Sequence, residues 1–328
     1  MIHADSRRAA LEGWLSERLD GARFALTPAS EDASFRRYFR ATLEDGRSYV
    51  AMDAPPDRED CRPFVHVARL LHEAGVHAPR VHAEDLAQGF LLLSDLGECT
   101  YLAAINEGNA PRLYADAIEA LIRWQLATRP AELPCYDEAL LRREMQLFPD
   151  WYVARHLGRE LSGPQREALE AIFALLVKSA LAQPKVYVHR DYMPRNLMLS
   201  DPNPGVLDFQ DAVVGPITYD MVSLVRDAFV SWDEERVLDW SVRYWESAKQ
   251  AGLPVDADFG EFWRALEWMG LQRHLKVLGI FARINYRDGK PKYLADAPRF
   301  IRYARNVAKR YSALAPLNRL LDELKCEP

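Results

Sequence analysis

The chain has 328 residues, of which 49% are hydrophobic and 27% charged, values of an ordinary soluble globular protein long enough for two lobes with separate cores. A net charge of −6 leaves no global excess of Lys and Arg to neutralise phosphates, which argues against a nucleic-acid partner. Cys61, Cys99, Cys135 and Cys326 are scattered without a C-x-x-C pair, a pattern of free thiols rather than of a disulfide framework or a zinc site.

The N-terminal stretch "MIHADSRRAALEGWLSERL" carries charges throughout and lacks the apolar core of a signal peptide. No uncharged apolar run approaches the roughly 18 residues that a spanning helix needs. These features predict a cytoplasmic protein with no membrane partner, and nothing implies an obligate protein partner.

After that leading amphipathic helix, "FRRYFRATLEDGRSYVAMDAP" reads as two alternating runs around Glu44-Asp45-Gly46-Arg47, and Asp-Gly is a strong hairpin signal. "REDCRPFVHVARLLHEAG" places Phe64, Val67, Ala68 and Leu71 at helical spacing before Gly75. "PRVHAED" and "GFLLLSDL" read as two further strands. The first hundred or so residues therefore predict β-β-α-β-β behind a helix: a small antiparallel sheet with one crossing helix.

From about Thr100 the reading changes. "YADAIEALIRWQLAT", "GPQREALEAIFALLVKSALAQ", "VRDAFVSWDEERVLDWSVRYWESAKQAG", "DFGEFWRALEWMGLQRHLKVLGIFARI" and "RFIRYARNVAKRYSALA" are helical by period and composition. Only "KVYVH", "NLMLS" and "GVLDF" read as strands there. The expected fold class is α+β and two-lobed: an N-terminal sheet lobe over 1–97, a hinge near Ser94 to Gly97, a helical lobe over 98–328, and an active site in the cleft.

The β insertion carries the chemistry. His189-Arg190-Asp191 is followed by Asn196 and then by Asp208 in "VLDFQD", the pattern H-R-D-x-x-x-x-N with a D-F-G-like motif. Phosphoryl transfer from ATP needs a carboxylate to take the hydroxyl proton, which Asp191 can supply. It also needs hard oxygen ligands for Mg²⁺, which Asn196 and Asp208 can supply. A hairpin through "DPNPG" brings those two ligands together, because that turn chemistry is favourable. His189 reads as a brace for the loop rather than a catalyst.

At "HRDYMPRN" and "VLDFQDA" the chain resembles the aminoglycoside-phosphotransferase and choline-kinase group, small-molecule kinases with a protein-kinase-like fold. The resemblance spans roughly Ala22 to Tyr311. It implies that Asp220, in "GPITYDMVSLVRD", braces the catalytic loop from below, although a helix N-terminal acid is an equally good plain reading. Eight residues separate Asp211 from Asp220, too few for a protein kinase's activation loop and A-P-E motif, so a protein substrate is not expected.

The sheet lobe departs from that pattern. The turn expected to cover the ATP phosphates, "SEDASFRRYFR", has no glycine, leaving Ser34, backbone N–H groups and Arg36 or Arg37 to hold phosphate oxygens. Strand three should end V-A-I-K but reads Val50-Ala51-Met52-Asp53. An aspartate there repels phosphates unless it points away or holds a metal or a substrate hydroxyl. Arg37, Arg58 and Arg62 are the candidate replacement cations, with solvated surface arginines as the plain alternative. Adenine is expected on backbone groups around Asp95 and Leu96. The missing lysine and glycines also leave open a pseudokinase, a regulatory module on a kinase fold.

A narrower resemblance covers nearly the whole chain. "SFRRYFR", "YVAMDAPPDREDCRPFVHVARLL", "GFLLLSDLG", "FPDWYVARHLG" and "HLKVLGIFARINYRDGKPKYL" are similar to the anomeric amino-sugar kinases of peptidoglycan recycling, in which "MDAP" stands in the same strand. This likeness implies ATP- and Mg²⁺-dependent phosphorylation of the anomeric hydroxyl of N-acetylmuramate or N-acetylglucosamine. Kinases of another small alcohol, of the aminoglycoside, choline or homoserine type, are the alternative. Tyr152, Arg195 and Asp211 are the expected substrate-binding residues, Trp151 reading better as helix packing. The basic bias of Arg273 to Arg310 suits a neutral or anionic sugar, or else a solvated helical face.

Overall fold

The computed structural model describes residues 2–31 and 35–326. The chain forms two compact units. The first comprises Met1–Asn106 together with Arg195–Asp211, and the second comprises Glu107–Pro194 together with Ala212–Pro328.

In the first unit, helix α1 (Ile2–Arg18) precedes a five-stranded antiparallel sheet. Its strands are β1 (Phe24–Glu31), β2 (Arg37–Leu43), β3 (Ser48–Asp53), β4 (Val81–Asp85) and β5 (Phe90–Ser94), in the order β1-β2-β3-β5-β4. The β2–β3 turn forms at the expected Asp-Gly, where Gly46 takes φ +86° and Leu43 N–H bonds the Arg47 carbonyl at 2.8 Å. Helix α2 (Arg62–Glu73) buries Phe64, Val67, Ala68, Leu70 and Leu71, and Gly75 at φ +70° ends the turn that follows it.

The sheet has one strand more than the sequence predicts. "FALTPASE" forms β1, with an irregularity in register between Pro28 and Ser30. A proline without a ladder donor hides a strand from its sequence, and it is tolerated because β1 is an edge. Register settles which side chains share a face. Phe39, Ala51 and Leu92 lie across from one another, as do Arg37, Asp53 and Phe90. The residues Phe39, Ala51, Phe90 and Leu92 pack with Leu11, Trp14 and Leu15 of α1, so α1 covers that face.

The short tail of the first unit includes helix α3 (Tyr101–Ala104) and a two-stranded hairpin, β7 (Leu197–Met198) with β8 (Gly205–Val206).

The second unit holds helices α4 (Ala110–Leu126), α5 (Glu138–Met145), α6 (Gly163–Ala182), α7 (Tyr219–Val225), α8 (Glu234–Gln250), α9 (Phe259–Asp288), α10 (Ala297–Arg310) and α11 (Ala315–Glu323), with a wide-turned helical stretch over Phe148–His156. Strand β6 (Lys185–Val188) pairs antiparallel with β9 (Val213–Pro216). "VRDAFVSWD", expected to be helical, divides instead between the end of α7 and the turn before α8. The long helix α9 starts at Asp258, whose carboxylate accepts from Gly260 N–H and Glu261 N–H, and closes at Gly289 in the left-handed region. Among the described residues no helix is long and apolar enough to cross a membrane, and all four cysteines are unpaired thiols.

Candidate active site

In the second unit, β6 delivers His189-Arg190-Asp191 at its end. The Asp220 carboxylate, fully buried at the start of α7, accepts from the backbone N–H of His189 at 2.6 Å and of Arg190 at 3.0 Å. Burial pushes the Asp220 carboxyl up to about 7, the two N–H donors and Arg273 pulling the other way and the charge of Asp191 adding to the rise. Asp191 N–H donates to His189 Nδ1 at 3.2 Å, so that ring nitrogen is the acceptor, and Tyr192 meets the His189 ring edge-on at 5.6 Å. Arg190 takes φ +77°, a left-handed conformation that a branched chain of contacts must hold in place.

Those contacts come from elements distant in sequence. Arg190 Nη2 donates to Glu144 Oε1 at 2.6 Å, and Lys276 Nζ lies 3.0 Å from the same oxygen. Tyr136 OH donates to Glu144 Oε2, Gln272 Nε2 donates to it at 3.3 Å, and Lys276 also donates to Tyr219 OH at 3.0 Å. Burial would raise the Glu144 carboxyl, yet Lys276 and Arg190 outweigh it and hold the group at about 2. Burial would likewise lower Lys276, but Tyr219 and Glu144 raise it. Arg273, which is 2% exposed, reaches Met193 Sδ at 3.8 Å beside the same loop.

In the first unit, the β7–β8 hairpin places the two expected metal ligands side by side. Leu207 N–H bonds the Asn196 carbonyl at 2.9 Å, and Asn196 Nδ2 lies 3.3 Å from Asp208 Oδ2. Asp208 takes φ +62°, the second strained non-glycine in the motif. Gln210 Nε2 donates to Asp208 Oδ1 at 2.9 Å. Phe209 is fully buried against Phe64 of α2, ring centroids 4.7 Å apart. A carboxylate and an amide oxygen are hard donors, and a hard dication that keeps water or phosphate in its other positions fits that pair. Arg36 Nη2 stands 3.9 Å from Asp208 Oδ1, its side chain 11% exposed.

Strand three resolves the puzzle of Asp53. Its carboxylate is fully buried on the face that α1 covers, where Arg7 Nε donates to Oδ1 at 2.9 Å and Arg37 Nε to Oδ2 at 3.0 Å. Arg7 also lies over the Phe90 ring at 5.1 Å. Two guanidinium groups neutralise Asp53, and neither the aspartate nor Arg37 projects to the sheet face that carries Met52. Arg58 is exposed and lies over the Phe35 ring at 4.9 Å, and Arg62 is exposed and held by Asp60 at 2.9 Å.

The remaining expected residues are placed as follows. Ser34 lies outside the described residues. The Asp95 side chain is bound by Arg40 at 2.6 Å and by Gly97 N–H at 3.0 Å, with Leu96 between them in the chain. Arg195 is half-buried and Asp211 exposed, at the two ends of the hairpin segment. Tyr152 is buried, stacked on Phe148 at 5.6 Å and tilted against His156 at 5.1 Å, and burial drives its hydroxyl well above the usual range. The basic bias of the last helices is partly absorbed by internal pairs: Lys276 with Glu144, Arg299 with Asp296, Arg305 with Asp322 and Arg310 with Glu234.

Sequence reasoning did not find Tyr136, Glu144, Gln272 and Lys276. The available signal was "LQRHLK" within α9, where Gln272 and Lys276 fall four apart, on one face of a helix otherwise rich in Leu, Met and Phe. A polar stripe on a buried helix marks a polar partner.

The chain is similar to known phosphotransferases. The model of the Phosphotransferase enzyme family matches residues 25–259. The chain is 61% identical over 299 residues to an N-acetylmuramate/N-acetylglucosamine kinase of Pseudomonas aeruginosa, covering 91% of this chain and 88% of that one. It is 56% identical to the protein of the same name from Pseudomonas putida, covering 99% and 98%. Among solved structures, an ADP-bound aminoglycoside phosphotransferase superposes with a TM-score of 0.61 at 14% identity, covering 90% of this chain and 97% of that one. The α+β fold is that of these kinase-like phosphotransferases.

Proposed function

We propose, for a chain that belongs to the Phosphotransferase enzyme family, that it phosphorylates N-acetylmuramate and N-acetylglucosamine at the anomeric hydroxyl, using ATP. It is a kinase acting on a sugar hydroxyl, and its place is the recycling of cell-wall sugars. The observation that carries the reading is the near-full-length identity to kinases of those two sugars. The choice of the C1 hydroxyl rests on the likeness of "YVAMDAPPDRED" and "FPDWYVARHLG" to anomeric kinases.

The chemistry suits the residues in place. The C1 oxygen forms a bond to the γ-phosphorus while the bond from that phosphorus to the ADP oxygen breaks, and the hydroxyl proton passes to the Asp191 carboxylate. An anomeric hydroxyl is more acidic than an ordinary alcohol, so one carboxylate suffices as base. Asp220 holds the His189 and Arg190 peptide groups, and Glu144 holds the Arg190 side chain, so Asp191 has a fixed approach. Asn196 and Asp208 would hold Mg²⁺, which would supply neutralisation of the charge on the phosphates. Backbone groups at Asp95 and Leu96 receive adenine, and Arg195 and Asp211 belong to the sugar side. The nucleotide-binding part over 1–97 falls within the first compact unit, which continues to Asn106 and includes Arg195–Asp211, and the base belongs to the second. The protein works in the cytoplasm, where ATP is available.

The test is phosphorus NMR of the product made from N-acetylmuramate, ATP and Mg²⁺. The expected product is a sugar 1-phosphate that mild acid cleaves. A 6-phosphate, or an acid-resistant product, refutes the anomeric assignment, and absence of turnover with either sugar refutes the substrate class.

A further inference from the structure

We infer that Arg36 is the cation that anchors the phosphates of the nucleotide, in the part that a strand-three lysine plays in other kinases; the inference rests on the reading of Asp208 as a metal ligand given above. The position where that lysine is expected holds Asp53, and the register of β2, β3 and β5 puts Asp53 and Arg37 on the face covered by α1. Both are engaged there in one charge cluster with Arg7. The replacement therefore has to come from elsewhere in the unit.

Arg36 directly precedes β2 and lies in the stretch "SEDASFRRYFR" expected to meet the phosphates. Consecutive residues of an extended chain project to opposite sides. Arg37 turns toward Asp53, and the Arg36 guanidinium stands 3.9 Å from Asp208 Oδ1. Asp208 would hold the metal ion that neutralises the nucleotide's phosphates. A cation beside that ligand is therefore beside the phosphates. Arg36 is also largely withdrawn from solvent whereas Asp208 is 41% exposed, and a desolvated guanidinium attracts phosphate more strongly than a surface one. Its planar fork suits bidentate contact with phosphate oxygens. Arg58 and Arg62, by contrast, are 57% and 76% exposed.

The experiment is a calorimetric titration of adenosine, ADP and Mg-ATP into wild type, Arg36→Ala, Arg36→Lys and Arg37→Ala, with circular dichroism to verify folding. For Arg36→Ala the expected result is a loss of about ten- to a hundredfold in ADP and Mg-ATP affinity, with adenosine affinity within about twofold of wild type. Arg36→Lys recovers most of the loss, because the charge remains. Arg37→Ala melts earlier but keeps the wild-type ratio of ADP to adenosine affinity. ADP affinity unchanged in folded Arg36→Ala, or an equal loss for adenosine and ADP, overturns the inference while leaving the kinase reading intact. Failure of wild type to bind ADP or ATP overturns both.

Discussion

Replacing Glu144 by glutamine tests whether the buried charge cluster positions the catalytic loop. The carboxylate is 7% exposed at its side chain and faces Arg190 at 2.6 Å and Lys276 at 3.0 Å, themselves 19% and 9% exposed. Glutamine keeps the shape but leaves two poorly solvated cations without an anion, and removing one partner of a buried ion pair costs about 3–5 kcal/mol. A second route gives a similar figure. The Glu144 carboxyl sits at about 2 rather than 4.5, and at about 1.4 kcal/mol per pKa unit that gap amounts to about 3 kcal/mol. Because the folded-state value is depressed, this stabilisation is full above about pH 4.5 and is lost as pH falls toward 2. Denaturant unfolding of wild type and Glu144→Gln at pH 7 should therefore differ by about 3 kcal/mol, and the difference should shrink progressively below pH 4.5. Turnover should fall as well, with little change in ATP affinity, since Arg190 adjoins Asp191. A variant within about 0.5 kcal/mol of wild type at pH 7 would refute the reasoning, as would a difference that stays constant down to pH 3.

Asp191→Ala should lower kcat by about a hundredfold or more while retaining ATP binding, whereas Asp208→Ala should lose turnover and Mg-ATP binding together; near-normal kcat in the first would remove Asp191 as base. Asp53→Lys, which restores the lysine of other kinases, puts a third cation beside Arg7 and Arg37 and should destabilise by about 3 kcal/mol or more without raising activity, a result that a thermal melt and an ATP titration check. In Gly279→Ala the new Cβ would meet the backbone carbon and oxygen of Leu147 at 2.3 and 2.4 Å, so that variant should melt markedly earlier. Gly13→Ala, with nothing within 4 Å of its Cβ inside α1, should gain up to about 1 kcal/mol.

The parts of this protein legible in its sequence are those whose chemistry is local. "HRDYMPRN" and "VLDF" identify themselves because phosphoryl transfer needs a carboxylate, an amide and a second carboxylate at loop spacings, and the turn "DPNPG" belongs to a short hairpin that sets the proposed metal ligands Asn196 and Asp208 side by side. Strand β1 and strand β9 were hidden for local reasons too, the first by Pro28 and the second by being four residues that end in Gly215 and Pro216. Asp53 is a different case. A strand's period of two says that Asp53 and Ala51 share a face, but not which face, until α1 is seen to cover one of them. An aspartate aligned with a phosphate-binding lysine then becomes the centre of an arginine cluster on the far side of the sheet from Met52. The same limit applies to Glu144 and Lys276. Arg190, one partner of Glu144, is visible in the motif but lies 46 residues away, and the other partner, Lys276, lies farther still along the chain. Apolar periodicity treats every charge on a helix as solvent-facing. A buried acid is recognisable only when the cations that neutralise it are found, and at this site they come from a loop and a helix far apart in the chain.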